Sequence, residues 1–320
     1  MIRFFSAAEV HAALDFTALA DALAAAFAAG AEVPARHVHR YAEDDRLLLM
    51  PAYTRGADPA LGVKLVTVQP GNAYRGAPTV HAIYVLFDRA TGAPSALIDG
   101  ESLTLRRTAA LSALAARHLA APDASCLLVV GTGSLAPFMA RAHLALRPAL
   151  TRVLIWGRSA ERAALLESRL RAEGHVCEAV TDLPAAVAGA QIISCATTAL
   201  APVVKGEWLS PGTHLDLVGG FTPAMREVDD DAVRRARLFV DTYTGALAEA
   251  GDLTDPIARG VIAREQVIAE LAQLVRRERP GRTSADQITL YKSVGTGLAD
   301  LAAARLVVSR GTSDSAPATS

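Results

Sequence analysis

Three basic side chains stand where the surrounding sequence is apolar. Lys64 interrupts the run LGVKLVTVQ at 61–69, and Arg107 lies in the segment LTLRRTAALSALAA at 103–116. Arg36 precedes the first strand-like segment. A buried ammonium or guanidinium is costly unless an anion meets it. Because guanidinium groups bind carboxylates in bidentate fashion, these three cations could clamp a small anionic substrate.

Each cation also has an ordinary structural explanation. Lys64 would reach solvent if it lay on the edge strand of a sheet. Arg106 and Arg107 are neighbours, and neighbours on a helix point about 100° apart, so at most one of them faces inward. The histidines form no metal set, since His37 and His39 share one face of a strand without a third ligand.

A glycine-rich turn carries a second kind of chemistry. The segment VVGTGSLA at 129–136 places Gly131, Gly133 and Ala136 in GxGxxA spacing, after an apolar strand and before a helix. The first glycine allows the tight turn, and the second lets backbone approach a pyrophosphate. The free N–H groups of the helix start then face that anion. The context therefore predicts a dinucleotide site.

The end of the next strand bears on which dinucleotide is bound. NAD-binding proteins usually place Asp or Glu here to accept from the ribose 2′-hydroxyl, whereas this chain has Gly157, Arg158 and Ser159. A cation beside a hydroxyl suits a 2′-phosphate, so Arg158 and Ser159 favour NADPH, with NADH as the alternative. Arg158 could also be an ordinary exposed loop residue.

The elements that position these residues follow from periodicity. Residues 16–29 predict a helix ending at Gly30, 36–99 an antiparallel sheet of hairpins, and 101–120 one long helix. From Ser125 strands and helices alternate, which predicts a parallel sheet covered on both faces. The last strand and helix are followed by a polar tail, 311–320, that we expect to be disordered.

The fold class is therefore α/β, with a Rossmann-type parallel sheet domain inserted into an α+β domain. We expect the final helix to pack back on the first domain. The boundaries follow as residues 1–120 plus 294–320 for the substrate-binding and dimerisation domain, and 121–293 for the dinucleotide-binding domain.

Composition excludes several function classes. The net charge is −1, so there is no broad basic field for nucleic acid or an anionic membrane. No apolar run of about 20 residues free of charge is present, so we expect no membrane span. The three cysteines Cys126, Cys177 and Cys195 are odd in number and far apart, which favours a reducing compartment and a cytoplasmic location.

With these segments identified, the chain resembles the ornithine cyclodeaminase and mu-crystallin family from about Arg36 to the terminal helix. The segments that carry the resemblance are PARHVH, LLLMPA, GVKLVTVQPGN, APTVHAIYVLFDRATGAPSALIDG, LTLRRTAALSALAA, VVGTGSLA, DLVGGFTPAMRE and LYKSVGTGLADLAAA. The resemblance implies a homodimer, with a Rossmann domain inserted into the substrate domain and the active site in the cleft between them.

The resemblance also assigns roles to individual residues. Arg36 and Lys64 look like ligands of the substrate carboxylate, and Thr79, Arg107 and Thr108 like contacts of the cofactor or substrate. The remaining positions that look like nucleotide contacts are Ser134, Leu135, Thr197, Val218, Gly219, Gly220, Ser293 and Val294.

One departure from the family pattern bears on the reaction. Cyclodeaminases carry an aspartate directly after the paired glycines, whereas this chain has Phe221 after Gly219 and Gly220. A phenylalanine cannot do acid–base work. The chain instead looks like the ketimine reductases that convert Δ1-pyrroline-2-carboxylate and Δ1-piperideine-2-carboxylate to L-proline and L-pipecolate.

The expected enzyme is an NADPH-preferring imine oxidoreductase acting on a small imino acid, with Lys64 or a bound water as the proton donor. Ornithine cyclodeaminase or alanine dehydrogenase-like activity remains an alternative. A crystallin-like protein that binds NADPH without turnover is another. Lys64 and Arg107 argue against a pure binder, which has no need for buried cations.

Overall fold

The computed structural model describes residues 2–55 and 58–313. The described residues form two compact units: those up to Thr108 and from Thr296 onward belong to unit 1, and Ala109–Gly295 belong to unit 2. Unit 2 is therefore inserted into the chain of unit 1. The predicted boundaries at 120/121 and 293/294 differ from this division.

The first boundary lies inside a helix rather than after it. The second half of the helix at Gly100–Leu119 belongs to unit 2 because side chains of that unit bind its backbone carbonyls. Arg147 donates to Ala116 O at 3.1 Å, and Arg282 donates to Leu119 O at 2.8 Å.

Unit 1 combines a mixed sheet with helices. Its strands are β1 (Arg3–Phe5), β2 (His37–Arg40), β3 (Arg46–Tyr53), β4 (Leu61–Val68), β5 (Val80–Phe87) and β6 (Pro94–Asp99). Its helices are α1 (Ala7–Ala13), α2 (Phe16–Ala29), the first part of α3 (Gly100–Leu119) and α11 (Gly297–Ser313).

The sheet of unit 1 has the order β1-β6-β5-β4-β3-β2. The pairs from β2 to β6 are antiparallel, as the hairpin pattern predicts, whereas β1 joins β6 in parallel. Helix α2 has the predicted bounds, since the Asp15 side chain caps its first turn and Gly30 leaves it with φ +78°.

The closing helix α11 packs against α2, β3 and β4, so the expectation that it returns to the first domain is confirmed. It continues to Ser313, so the start of the polar tail predicted at 311–320 is helical. The rest of that tail lies outside the described residues.

Unit 2 is built from alternating strands and helices. Its strands are β7 (Cys126–Val130), β8 (Arg152–Trp156), β9 (Cys177–Ala179), β10 (Ile192–Cys195), β11 (His214–Leu217), β12 (Arg237–Val240), β13 (Val267–Glu270) and β14 (Thr289–Lys292). Its helices after α3 are α4 (Ala136–Leu146), α5 (Ala160–Ala172), α6 (Leu183–Gly189), α7 (Asp230–Arg235), α8 (Tyr243–Glu249), α9 (Gly251–Ala258) and α10 (Leu271–Val275).

The sheet of unit 2 has the order β13-β12-β14-β11-β10-β7-β8-β9, with parallel pairing throughout. Alternate residues of β7 enter different cores: Leu128 and Val130 pack on one face, and Leu127 and Val129 on the other. The predicted two-faced α/β fold is confirmed. The strand order reverses beside β7, and open α/β sheets bind ligands at the carboxyl ends of strands at such a point.

Within residues 2–55 and 58–313, no single helix is long and apolar enough to cross a membrane; α1 and α2 pass that test only as a pair bent by 79°.

Candidate functional site

Lys64 lies in the interior of the unit 1 sheet. Strand β4 pairs with β3 on one side and β5 on the other, so the edge-strand alternative is wrong. The Lys64 side chain is only 3% exposed, and its Nζ lies 2.8 Å from Oδ2 of Asp300 on α11. Thr104 Oγ1 lies 3.4 Å from the same nitrogen. The anion that neutralises Lys64 is thus a residue of the chain itself.

Arg107 binds the same carboxylate from α3. Its Nε donates to Asp300 Oδ1 at 2.8 Å, and both side chains are buried. Arg106 points elsewhere, with its Nε 3.2 Å from His11 Nδ1. The prediction that one of the two neighbouring arginines faces inward is confirmed for Arg107. Asp300 itself was not a predicted site residue.

The charges of this group determine its acidity. Burial lowers the pKa of Lys64 to about 8, Asp300 opposes that effect, and Arg107 and Arg36 add to it. Burial disfavours ionisation of Asp300, but Arg107 and Lys64 outweigh it and lower the pKa of that carboxyl. Lys64 is therefore an ammonium that can give up a proton close to neutral pH.

The remaining predicted residues of unit 1 are Arg36, Thr79 and Thr108. Arg36 is half-buried and is close enough to affect the pKa of Lys64. Thr108 is half-buried and follows Arg107 on α3, and Thr79 is half-buried and directly precedes β5. Their roles as ligand contacts stay predictions.

The phosphate turn of unit 2 has the geometry that its sequence predicts. Gly131 follows β7 with φ +125°, and a Cβ there would lie 2.7 Å from Ala196 O. A Cβ on Gly133 would meet nothing within 4 Å. Helix α4 then begins without a side-chain cap at Leu135. A positive φ, open space at the second glycine and an uncapped helix start together fit a pyrophosphate.

The end of β8 lies beside this turn. A Cβ on Gly157 would come 2.6 Å from Thr132 Cγ2, so the two loops are in close contact. Arg158 is exposed. Ser159 caps α5, since its Oγ accepts from Arg162 N at 3.2 Å. The prediction that both residues contact the cofactor is not tested by this arrangement.

The other predicted nucleotide contacts follow three adjacent strands. Thr197 comes after β10, Val218, Gly219 and Gly220 come after β11, and Ser293 and Val294 come after β14. The carboxyl ends of these parallel strands meet at the edge that also carries the phosphate turn.

Buried carboxylates that the sequence analysis missed hold these loops. Asp241 Oδ2 accepts from Ser293 Oγ, Val294 N and Gly295 N at 2.8–2.9 Å. Glu227 accepts from Thr197, Gly219 and Gly220. Asp241 directly follows the strand RLFV, a signal that could have found it, whereas Glu227 lies between Arg226 and an acidic run and gave no such signal.

No group of three or more His, Cys, Asp or Glu side chains in the described ranges is arranged to hold a metal ion.

The model of the ornithine cyclodeaminase/mu-crystallin family matches residues 2–315. The chain belongs to this family.

Proteins of known structure or curated name are similar to this chain over nearly its full length. The Δ1-pyrroline-2-carboxylate reductase of Colwellia psychrerythraea is 37% identical over 97% of this chain and 99% of its own. The structure of the Thermococcus litoralis Δ1-pyrroline-2-carboxylate reductase with NADH and L-proline is 31% identical, with a TM-score of 0.93 and 98% of each chain covered. An archaeal alanine dehydrogenase dimer with bound NAD is 27% identical, with a TM-score of 0.91 over 98% of this chain and 97% of that one.

The position after the paired glycines is the one at which the resemblance leads us to expect an aspartate in cyclodeaminases. Phe221 occupies it here and is 43% exposed. Its side chain offers no proton, so the arrangement provides no carboxylate at that position for ring closure of a diamino acid.

Proposed function

We propose that the chain reduces the C=N bond of cyclic ketimines, converting Δ1-pyrroline-2-carboxylate to L-proline and Δ1-piperideine-2-carboxylate to L-pipecolate. The observation that carries the proposal is the buried Lys64 ammonium, which shares Asp300 with Arg107 and has a pKa near 8. Membership of the family and the similarity to Δ1-pyrroline-2-carboxylate reductases support it.

The cations of unit 1 suit the substrate carboxylate. Lys64, Arg107 and Asp300 together carry one net positive charge. An incoming carboxylate would restore neutrality, so it offsets the cost of keeping two cations buried. Arg36 and Lys64 are its proposed ligands, with Arg107 as a further contact.

Lys64 also suits the proton that the reaction needs. Hydride addition to the imine carbon moves the C=N electron pair to nitrogen, which must carry a proton for the carbon to accept hydride readily. An ammonium with a pKa near 8 can provide this proton at neutral pH and recover it from water. Lys64 is therefore the proposed catalytic residue, and the net reaction consumes one hydride and one proton.

The cofactor is proposed to be a nicotinamide dinucleotide, which supplies the hydride when bound. The open space at Gly133 and the uncapped start of α4 support pyrophosphate binding in unit 2. We further propose a preference for NADPH, because Arg158 stands where an acidic residue would favour NADH. The structurally similar enzymes have NADH or NAD bound, which supports a nicotinamide dinucleotide, and the proposed preference for NADPH rests on Arg158.

We also propose that the enzyme is a cytoplasmic homodimer. The similarity to an alanine dehydrogenase that is a dimer supports self-association. Sedimentation or light scattering of the purified chain tests it.

The decisive experiment compares two reactions of the purified protein. Oxidation of NADPH at 340 nm with Δ1-pyrroline-2-carboxylate is expected, and ornithine with NAD is expected to give no reaction. Pyruvate with ammonia and NADPH tests the alanine dehydrogenase-like alternative. Binding of NADPH without turnover of any of these substrates would favour the crystallin-like alternative and overturn the proposal.

A further inference from the structure

One buried carboxylate joins two loops that follow neighbouring strands of unit 2. Glu227 is fully buried, and its Oε1 accepts from Thr197 N at 2.8 Å and from Thr197 Oγ1 at 2.9 Å. Its Oε2 accepts from Gly219 N at 2.9 Å and from Gly220 N at 3.1 Å. The loop after β10 therefore depends on one oxygen of Glu227, and the loop after β11 depends on the other.

Two further buried charges hold Glu227 in place. Glu227 N and Val228 N donate to Asp252 Oδ1 at 2.7 and 3.2 Å, and these bonds fix the backbone that carries the Glu227 side chain. Lys292, the last residue of β14, has its Nζ 2.8 Å from Asp252 Oδ2 and 3.6 Å from Glu227 Oε2. Burial alone would lower the pKa of Lys292, but Asp252 and Glu227 raise it above its ordinary value. The lysine therefore stays charged.

The two loops are packed backbone to backbone. A Cβ on Gly219 would overlap the backbone of Thr197, and a Cβ on Gly220 would come 3.3 Å from Lys292 Nζ. On the other side, Ala196 O lies where a Cβ of Gly131 would reach it. A shift of the Thr197 loop would therefore disturb both the paired glycines and the phosphate turn.

The position of these loops indicates which half of a dinucleotide they would contact. The phosphate turn follows β7, and Arg158 follows β8, on the side of β7 proposed for the adenosine ribose. Strands β10 and β11 lie on the opposite side of β7. A dinucleotide crosses the sheet edge at the switch point, so its nicotinamide half falls on the β10 and β11 side.

We propose that Glu227 is a positioning residue that sets the loops at Thr197 and Gly219–Gly220 for the nicotinamide half of the cofactor, with Asp252 and Lys292 holding its carboxylate. The inference rests on the proposed function only in that the cofactor is a nicotinamide dinucleotide. Glu227 acts through the backbone of the two loops rather than by touching the reacting atoms.

Glu227→Gln is the sharpest test of this role. Glutamine has nearly the same shape but replaces one acceptor oxygen by an NH2 group, so either the Thr197 loop or the glycine loop faces a donor whichever way the amide turns. The substitution leaves Lys292 and Asp252 as a balanced pair, so the protein should still fold. Glu178→Gln is the matched control, since that side chain is exposed in unit 2.

Glu227→Gln should weaken binding of the nicotinamide half of the cofactor and leave binding of the adenine half unchanged. Titration calorimetry should show NADPH binding weakened roughly 10- to 100-fold in Glu227→Gln, the loss typical for hydrogen bonds to a charged group. Adenosine 2′,5′-bisphosphate, which has only the adenine half, should bind as tightly as to wild type. In turnover assays the KM for NADPH should rise while the KM for the imine stays constant.

Other outcomes overturn the inference. Equal losses for NADPH and adenosine 2′,5′-bisphosphate would mean a general structural defect, and unchanged NADPH binding would mean that the loops do not need Glu227. If Glu227→Gln is insoluble, Glu227→Asp keeps the charge but withdraws it by one methylene, and the same selective loss for NADPH is required. Wild type that binds NADPH without reducing the imine would contradict the proposed function while leaving this test intact.

Discussion

The Nζ of Lys64 lies 2.8 Å from Oδ2 of Asp300, and both side chains are buried although 236 positions separate them in the chain. The ion pair joins the centre of the unit 1 sheet to the final helix. Because Arg107 takes the other oxygen of the same carboxylate, Asp300 balances only one of two buried cations. The uncompensated charge is the proposed basis for binding the substrate carboxylate in unit 1.

Lys64→Met should abolish imine reduction while leaving the cofactor bound. The substitution removes both a proposed carboxylate ligand and the proposed proton donor, so kcat/KM should fall by at least about 100-fold. The measurement is NADPH oxidation with Δ1-pyrroline-2-carboxylate.

Lys205→Met is the matched control, because the Lys205 side chain is 53% exposed. It should behave as wild type. Unchanged turnover by Lys64→Met would eliminate the assignment of Lys64.

The pH profile should report the acidity of Lys64. The ammonium must be protonated to act as a donor, and its pKa is lowered to about 8, so kcat/KM for reduction should decline above pH 8. In the reverse direction the same group acts as a base, so oxidation of L-proline should increase through that range. In Lys64→Arg the guanidinium does not titrate in this range, so the decline of kcat/KM above pH 8 should be lost. A decline above pH 8 that persists in Lys64→Arg would have to come from another group or from the substrate.

Asp300→Asn should move the decline of kcat/KM to lower pH. The carboxylate of Asp300 raises the pKa of Lys64 against the effect of burial, so its removal lowers the pKa further. The substitution also leaves two buried cations without an anion, which should reduce the free energy of unfolding by about 3–5 kcal/mol. Steady-state profiles and denaturant unfolding measure the two effects.

Asp58→Asn provides the comparison, because Asp58 also pairs with an arginine but its side chain is 78% exposed. It should change neither the profile nor the stability measurably. If the decline of kcat/KM in Asp300→Asn occurs at the same pH as in wild type, Asp300 does not set the pKa of Lys64.

Periodicity in the sequence was sufficient to predict most helices and strands, because each of them is encoded by residues close in sequence. Helix α2 at Phe16–Ala29, the hairpins of unit 1 and the phosphate turn follow from local spacing. Strand β1 has three residues, too few to show a period, and it pairs in parallel with β6 more than 90 positions away. The division within α3 depends on contacts from Arg147 and Arg282, which local patterns do not contain.

The candidate site was predictable for its cations but not for its acids. An ammonium within an apolar strand stands out, whereas Asp300 in LADL and Glu227 in MREV resemble ordinary surface acids. Their partners are distant: Arg107 and Asp300 are 193 positions apart, and Glu227 and Thr197 are 30 apart. Only the tertiary structure brings these groups together.

Gly131→Ala should lower stability, whereas Gly133→Ala should weaken NADPH binding without lowering stability. Alanine at Gly131 must adopt φ +125° with its Cβ 2.7 Å from Ala196 O, so the protein should lose about 1–3 kcal/mol of stability. A Cβ at Gly133 meets nothing within 4 Å, so the thermal midpoint should stay unchanged. It should still weaken NADPH binding at least about tenfold, because the methyl group takes the space proposed for the pyrophosphate.

The control for this pair is Gly189→Ala, where the added Cβ also has open space but lies at the end of α6. It should affect neither property. NADPH affinity at the wild-type level in Gly133→Ala would place the pyrophosphate elsewhere.

Arg158→Ala should reduce the preference for NADPH over NADH. Loss of a hydrogen bond between a guanidinium and the 2′-phosphate costs about 1.5–3 kcal/mol, so kcat/KM with NADPH should fall roughly 10- to 100-fold. NADH lacks that phosphate, so kcat/KM with NADH should not change. Because Arg158 is exposed, the substitution should leave the fold intact. Arg152→Ala removes another exposed arginine, at the start of β8, the strand that precedes Arg158, and should alter neither value. Equal activity of Arg158→Ala and wild type with both cofactors would assign the 2′-phosphate to a different residue.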